Sequence, residues 1–203
     1  MRALRAYNWD PKRPKETLVR VKRALTERAA GIGIKPKAKD EALRCIEIID
    51  LFERCENALG LRAMALSEPP KLDSIEVEGV TVSIHPDLLV TSSGGRIGAG
   101  TLRVAKAPDP EACVKPETAA RRGDHRREFG RYMIALLQFL LDAQKGALGV
   151  PDRDLCFVAD VRLGELIRPA ADHTVRMRDL RAACQQIAKL WPTIEPKSSL
   201  LKP

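Results

Sequence analysis

Aromatic side chains are scarce in this chain of 203 residues: four Phe, two Tyr and two Trp, 4% of the total. So thin a set gives little support for recognising single strands by base stacking. Histidine is scarcer still, with His85, His125 and His173 only, and His125 and His173 have no sequence-local partner that would complete a metal site. No H-E-x-x-H pair, no G-x-S-x-G elbow and no Ser/His/Asp or Cys/His arrangement stands out, which leaves zinc protease, esterase and thiol protease readings little weight. The cysteines Cys45, Cys55, Cys113, Cys156 and Cys184 are odd in number, scattered, and without a C-x-x-C pair, so reduced and mostly buried thiols are expected. No apolar run reaches the roughly 18 residues that a membrane span needs. The longest candidate is "MIALLQFLLDA", and the opening "MRALRAYNWDPKRPK" has no signal-peptide core. A soluble, cytoplasmic protein with no membrane partner is the expectation.

What is present in quantity is charge, unevenly placed. The chain carries 35 Lys/Arg and 27 Asp/Glu, of which 12 and four fall in residues 1–40; the remaining 23 of each sign cancel. The whole basic excess therefore sits in the first fifth. Clustered cations of this kind attract polyanions, so an arm or helix that meets phosphates, an anionic membrane surface or an acidic partner is one reading, and a solvated basic helix is the other. Arg20, Lys22 and Arg23 carry the first reading. With 44% hydrophobic residues the rest of the chain has enough to bury one sizeable core. Residues 1–39 read as a basic arm or helix with a linker, and residues 40–203 as one α/β domain with a loose C-terminal tail.

Periodicity predicts the elements. "KETLVRVKRALTERAAG" holds Leu18, Val21, Leu25 and Ala29 near helical spacing. "DEALRCIEIIDLFERCENALGLRAMAL" sets Leu43, Ile46, Ile49 and Phe52 on one stripe, with Asp40 placed to cap it. Residues 75–91 alternate as a strand: Val80, Val82, Ile84, Leu88 and Val90 on one face, Thr81, Ser83, His85 and Asp87 on the other. "SSGG" supplies a turn and "RIGAGTLRVAK" returns as a second strand. A helix over "ETAARRGDHRREFGRYMIALLQFLLDAQ" is expected to bury Phe129, Tyr132, Met133, Leu136 and Leu140. A largely apolar strand over "DLCFVADVRLGEL" and a helix over 175–190 follow, and "WPTIEPKSSLLKP" reads as tail. The order α, α, β, β, α, β, α predicts an α/β (α+β) fold, a mixed central sheet with a β-hairpin flanked by helices.

The glycines of "GRIGAGTL", Gly95–Leu102, do not make a nucleotide loop. A Walker A sequence needs a lysine before its Ser/Thr and a helix behind it, whereas Gly100 precedes Thr101 and "LRVAK" suits a strand. Glycines here serve turn geometry or close backbone packing.

Taken with its flanking helices, the hairpin with "PD" at Pro86 and Asp87 resembles the PD-(D/E)XK nuclease superfamily, its RecB-like exonuclease branch in particular, over roughly residues 40–190 in element order. The resemblance implies a restriction-endonuclease-like fold and two carboxylates that hold Mg²⁺ to activate water, with a lysine that stabilises the developing charge. Here Asp87 matches the first carboxylate and the possible metal ligand. Thr101 and Arg103 stand where the second carboxylate and the lysine belong, and Lys106 is a displaced basic residue. Thr is a poor Mg²⁺ ligand and Arg stays protonated, so the motif is degenerate. Glu47, Glu53 or Glu56 could supply a further ligand from the preceding helix. The branch's Gln/Tyr pair four apart on the next helix is represented by Glu128 and Tyr132. Arg121, Arg122, Arg126 and Arg127, at the start of that helix, track a nucleic-acid backbone or form a solvated, ion-paired face. The resulting expectation is a nuclease-like DNA-binding protein with weak or lost Mg²⁺-dependent cleavage. The alternative is a non-enzymatic interaction or structural component on the same scaffold, alone or as a homo-oligomer. Asp87 as a simple strand cap and His85 as a half-exposed strand residue are the plain structural readings beside these.

Overall fold

The computed structural model describes residues 1–144 and 147–194. In chain order the helices are α1 (Arg2–Trp9), α2 (Lys15–Ala30), α3 (Pro36–Leu59), α4 (Pro116–Ala143) and α5 (His173–Leu190). The strands are β1 (Leu66–Ser67), β2 (Ile75–Val77), β3 (Val80–Val82), β4 (Leu88–Thr91), β5 (Arg96–Arg103), β6 (Val150–Pro151), β7 (Phe157–Asp160) and β8 (Glu165–Ile167). A six-stranded mixed sheet runs β1-β4-β5-β7-β8 with β6 also on β5. β4 and β5 are antiparallel, β5 and β7 parallel with α4 as the crossover, and β7 and β8 antiparallel. The expected mixed α/β architecture is present.

Two cores lie on opposite faces of this sheet, as the two-residue period of each strand requires. One gathers Leu4 and Tyr7 of α1, Leu18 of α2, and Ile49 and Phe52 of α3 over Leu88, Val90, Leu102 and Phe157. The other gathers Ile134, Leu137, Leu140 and Cys184 of α4 and α5, with Ile75 and Val77, over Ile97, Ala99 and Val158. The first 39 residues are thus part of the main core and not a separate arm, because Leu4, Tyr7 and Leu18 are each about as buried as any residue of the chain.

Several boundaries differ from the sequence reading, each for a local reason. α3 starts at Pro36, whose fixed φ suits the first helical position, so Asp40 lies inside the helix and caps nothing. The stretch 75–91 is not one strand: Glu78 and Gly79, at φ 50° and 80°, make a two-residue turn that folds β2 onto β3 as a hairpin of its own, and His85 sits in the exposed loop before β4. "DLCFVADVRLGEL" likewise splits into β7 and β8. On α4 the buried seam runs through Arg126, Gly130, Ile134, Leu137 and Leu141, and Phe129 is turned outward at 47% exposure. Of the cysteines, all unpaired, Cys156 and Cys184 are buried and the other three half-buried. The tail reading falls largely on residues 195–203, outside the described residues.

The glycines of β5 have a packing role. A methyl group on Gly100 would come within 2.3 Å of the Phe157 ring, and one on Gly98 within 2.4 Å of Leu155. Only bare backbone lets β7 and the turn before it lie against β5 at this distance.

Candidate functional site

Asp87 is the residue before β4 and, since Leu88 pairs with Gly100, stands level with Thr101. It is 3% exposed, and all of its polar groups are engaged. Its N–H donates to the Gly100 carbonyl at 2.9 Å, its Oδ2 accepts from the Leu102 N–H at 2.7 Å, its Oδ1 accepts from Arg5 Nε, and its carbonyl accepts from Trp9 Nε1 at 2.9 Å. Arg5 and Trp9 are four apart on α1, one turn of the same face. Asp87 therefore fastens α1 to the open end of the β4–β5 pair, and a cation of the chain itself neutralises its carboxylate.

Thr101 and Arg103 belong to the other layer. Leu102 points into the core under α1–α3, so the alternation of β5 sends Thr101 and Arg103 towards α4. Arg103 Nη1 donates to the Arg126 carbonyl at 3.0 Å, its guanidinium lies 4.3 Å from the centroid of the Phe129 ring, and Asp160 is 3.7 Å from its Nε. Burial and the neighbouring Arg126 charge push its pKa down, with Asp160 opposing. The Thr101 hydroxyl is buried and has no hydrogen-bond partner among the described residues. No hydrogen bond or ion pair among the described residues joins Asp87 to the Thr101 or Arg103 side chain, and their partners lie in opposite helical layers. Lys106 is exposed in the loop after β5, where its carbonyl accepts from Arg126 at 3.3 Å.

The three α3 acids considered as further ligands, Glu47, Glu53 and Glu56, are committed elsewhere. Glu47 holds Arg162 at 3.0 Å and Glu53 holds Lys22 at 2.6 Å. Glu56, 7% exposed, accepts from Tyr7 at 2.6 Å and from Arg62 at 2.8 Å, and burial together with Glu56 raises the Tyr7 phenol to about 12. Among the described residues no three His, Cys, Asp or Glu side chains gather as a metal-ligand set. The residues present do not fit the Mg²⁺ that the family resemblance implies: one carboxylate, already paired and hydrogen-bonded, cannot replace a pair of free ones.

Of the arginines assigned to nucleic acid, Arg126 is wholly buried and belongs to the interior. Its fork meets the Asp160 carboxylate at 2.8 and 2.7 Å, and Nη1 donates to the Ala105, Lys106 and Pro108 carbonyls. Asp160 also accepts from the Arg162 and Leu163 N–H groups at 3.1 Å, so the pair locks α4, β7 and the loop after β5 together. Arg127 is held by Glu165 and Asp124, Arg122 by the Asp109 carbonyl, Lys22 by Asp50 and Glu53, and Arg23 by Glu27. Arg20 and Arg121 are exposed and make no ion pair among the described residues. Glu128 and Tyr132 both reach α5: Glu128 accepts from Arg176 at 2.8 Å, which holds its carboxyl below the usual range, and Tyr132 donates to Asp179 at 3.1 Å. They tie two helices together rather than lining the Asp87 position. Sequence reading missed Arg5, Trp9 and Asp160; the first two stand about 80 residues from their partner and no spacing rule joins them.

Fold and site together define a mixed α/β protein in which Asp87 is an internal fastening. No protein-family model, curated protein or solved structure matches this chain.

Proposed function

We propose that the chain is a nuclease-like nucleic-acid-binding protein in which Mg²⁺-dependent phosphodiester cleavage is weak or lost. The observation that carries this reading is the exchange at Asp87, where Arg5 supplies the positive charge that a divalent ion would bring, so that the motif aspartate holds the fold together instead of activating water. Binding draws support from the cations left without acidic partners. Arg20, Arg121, Lys12, Lys15, Lys35 and Lys39 are exposed, make no ion pair among the described residues, and lie mostly in the basic first fifth of the chain.

Duplex DNA titrated at several salt concentrations tests the binding. A linear fall of log K with log salt, of slope about −0.9 per phosphate contacted, is the expected result. No binding even at low ionic strength would reject the nucleic-acid reading in favour of a non-enzymatic interaction protein. For the chemistry, incubation with Mg²⁺ or Mn²⁺ is expected to give cleavage no faster than that of Asp87→Ala; rapid cleavage abolished by that substitution would overturn the loss of activity.

A further inference from the structure

A cavity of about 880 Å³ lies away from Asp87, between α1, α2 and α3. Its floor is made of Leu4, Val21, Leu25, Ile48 and Val104. Val21, Leu25, Ile48 and Val104 pack against the core yet remain only partly covered by the protein, which leaves apolar surface unburied. The size falls within the range of small-molecule sites, which are lined mainly by apolar groups with a few charged ones for orientation. Not one aromatic ring lines it. A nucleobase or other planar ring finds no aromatic partner here, while branched aliphatic walls suit a flexible aliphatic chain.

The rim decides the sign of the head group. Arg2, Lys37 and Arg44 line the mouth, are exposed, and make no ion pair among the described residues. Two acids share it: Glu41 already stands 3.8 Å from Arg28, which leaves Asp40 as the single acid without an ionic partner. Three uncommitted cations against one such acid favour an anion at the entrance, and an anion with an aliphatic body satisfies both the floor and the rim. We infer that this cavity is a binding site for an amphipathic anion, an aliphatic chain ending in a carboxylate or phosphate. A nucleic-acid backbone would meet the same cations but leave the apolar floor exposed, so this site is independent of the function proposed above.

Cys45 lines the cavity, half-buried, and reports on its occupation. Alkylation of the full chain by iodoacetamide, mapped by peptide mass spectrometry, gives a rate for Cys45 beside an internal control, Cys113, which does not line the cavity. Laurate and dodecyl phosphate are the probes, with dodecyltrimethylammonium as the chain of opposite charge, all below their micellar concentrations. Protection of Cys45 by either anion, with Cys113 unchanged, is expected. The relative strength of the two anions identifies the head group. Lys37→Glu/Arg44→Glu reverses two exposed charges without protein partners, so the fold is untouched, and should weaken protection by roughly tenfold. Equal protection by the cationic chain, full protection in the double variant, or no protection by either anion would overturn the inference. An amphipathic helix of another protein as the true occupant would appear as the last of these outcomes. Whether DNA binds has no bearing on any of them.

Discussion

At residue scale the informative substitutions are those that separate charge from hydrogen bonding. Asp87→Asn keeps an oxygen for the Leu102 N–H and removes the charge that meets Arg5. Arg5 is 40% exposed and can return to water, so the expected loss is modest, about 1–3 kcal/mol in urea unfolding with an unchanged denaturant slope. Arg126→Met is a different case. It strands a fully buried Asp160 and leaves the Ala105 and Pro108 carbonyls without their donor, so a loss of about 3–5 kcal/mol is expected, near the whole stability of a small domain. If Arg126→Met unfolds no more readily than Asp87→Asn, the buried pair is not the keystone described above. Neither residue announced its role in the sequence. Arg126 looked like one more member of a basic run, because burial of a charge depends on which face of α4 meets the sheet.

At the scale of elements, period and turn chemistry made part of the fold legible. α2, α4, α5 and the β4–β5 hairpin follow from helical spacing, from alternation and from "SSGG". The split of 75–91 was written there too, in the Glu78–Gly79 pair between the short alternating segments Ile75–Val77 and Val80–Val82, but long alternation hid it. α1 was illegible for a physical reason: it has only eight residues, too few to be stable without packing, and is held by Asp87, Glu56 and the core. The glycines of β5 give this scale its own prediction. Gly100→Ala would drive a methyl group into the Phe157 ring, and an overpacked core costs about 1–3 kcal/mol, with near-ultraviolet circular dichroism altered by displacement of that ring. Ala at Gly94, where the nearest atom stands at 3.9 Å, should be tolerated in the same melts.

Across the whole molecule, stability should depend on pH in two separate windows, both set by contacts of α4 and α5. Glu128, Asp172 and Glu165 are held below their ordinary values by hydrogen bonds from Arg176, Arg176 and Arg127 respectively. These three contribute stability above the unfolded values of about 4.5 and 3.8, and lose it as pH falls through the lower folded values. His173 acts earlier. It is 1% exposed, its Nε2 lies 2.6 Å from Gln138 Oε1 on α4, and its Nδ1 is buried with no partner among the described residues. Burial, with the Arg153 and Arg176 charges adding to it against Asp154 and Asp142, pushes its pKa below the ordinary 6.5. The unfolded chain therefore takes up a proton at His173 below about pH 6.5 while the folded one does not, and stability declines as pH falls from there towards the folded value. Urea midpoints measured from pH 8 to pH 5 should fall for the natural chain, most steeply below pH 6.5. For His173→Leu they should start lower, since Gln138 loses its partner, and then stay flatter over the same interval. Parallel curves for the two proteins would mean that His173 is protonated in the folded state as readily as in the unfolded one, against the burial found at the head of α5.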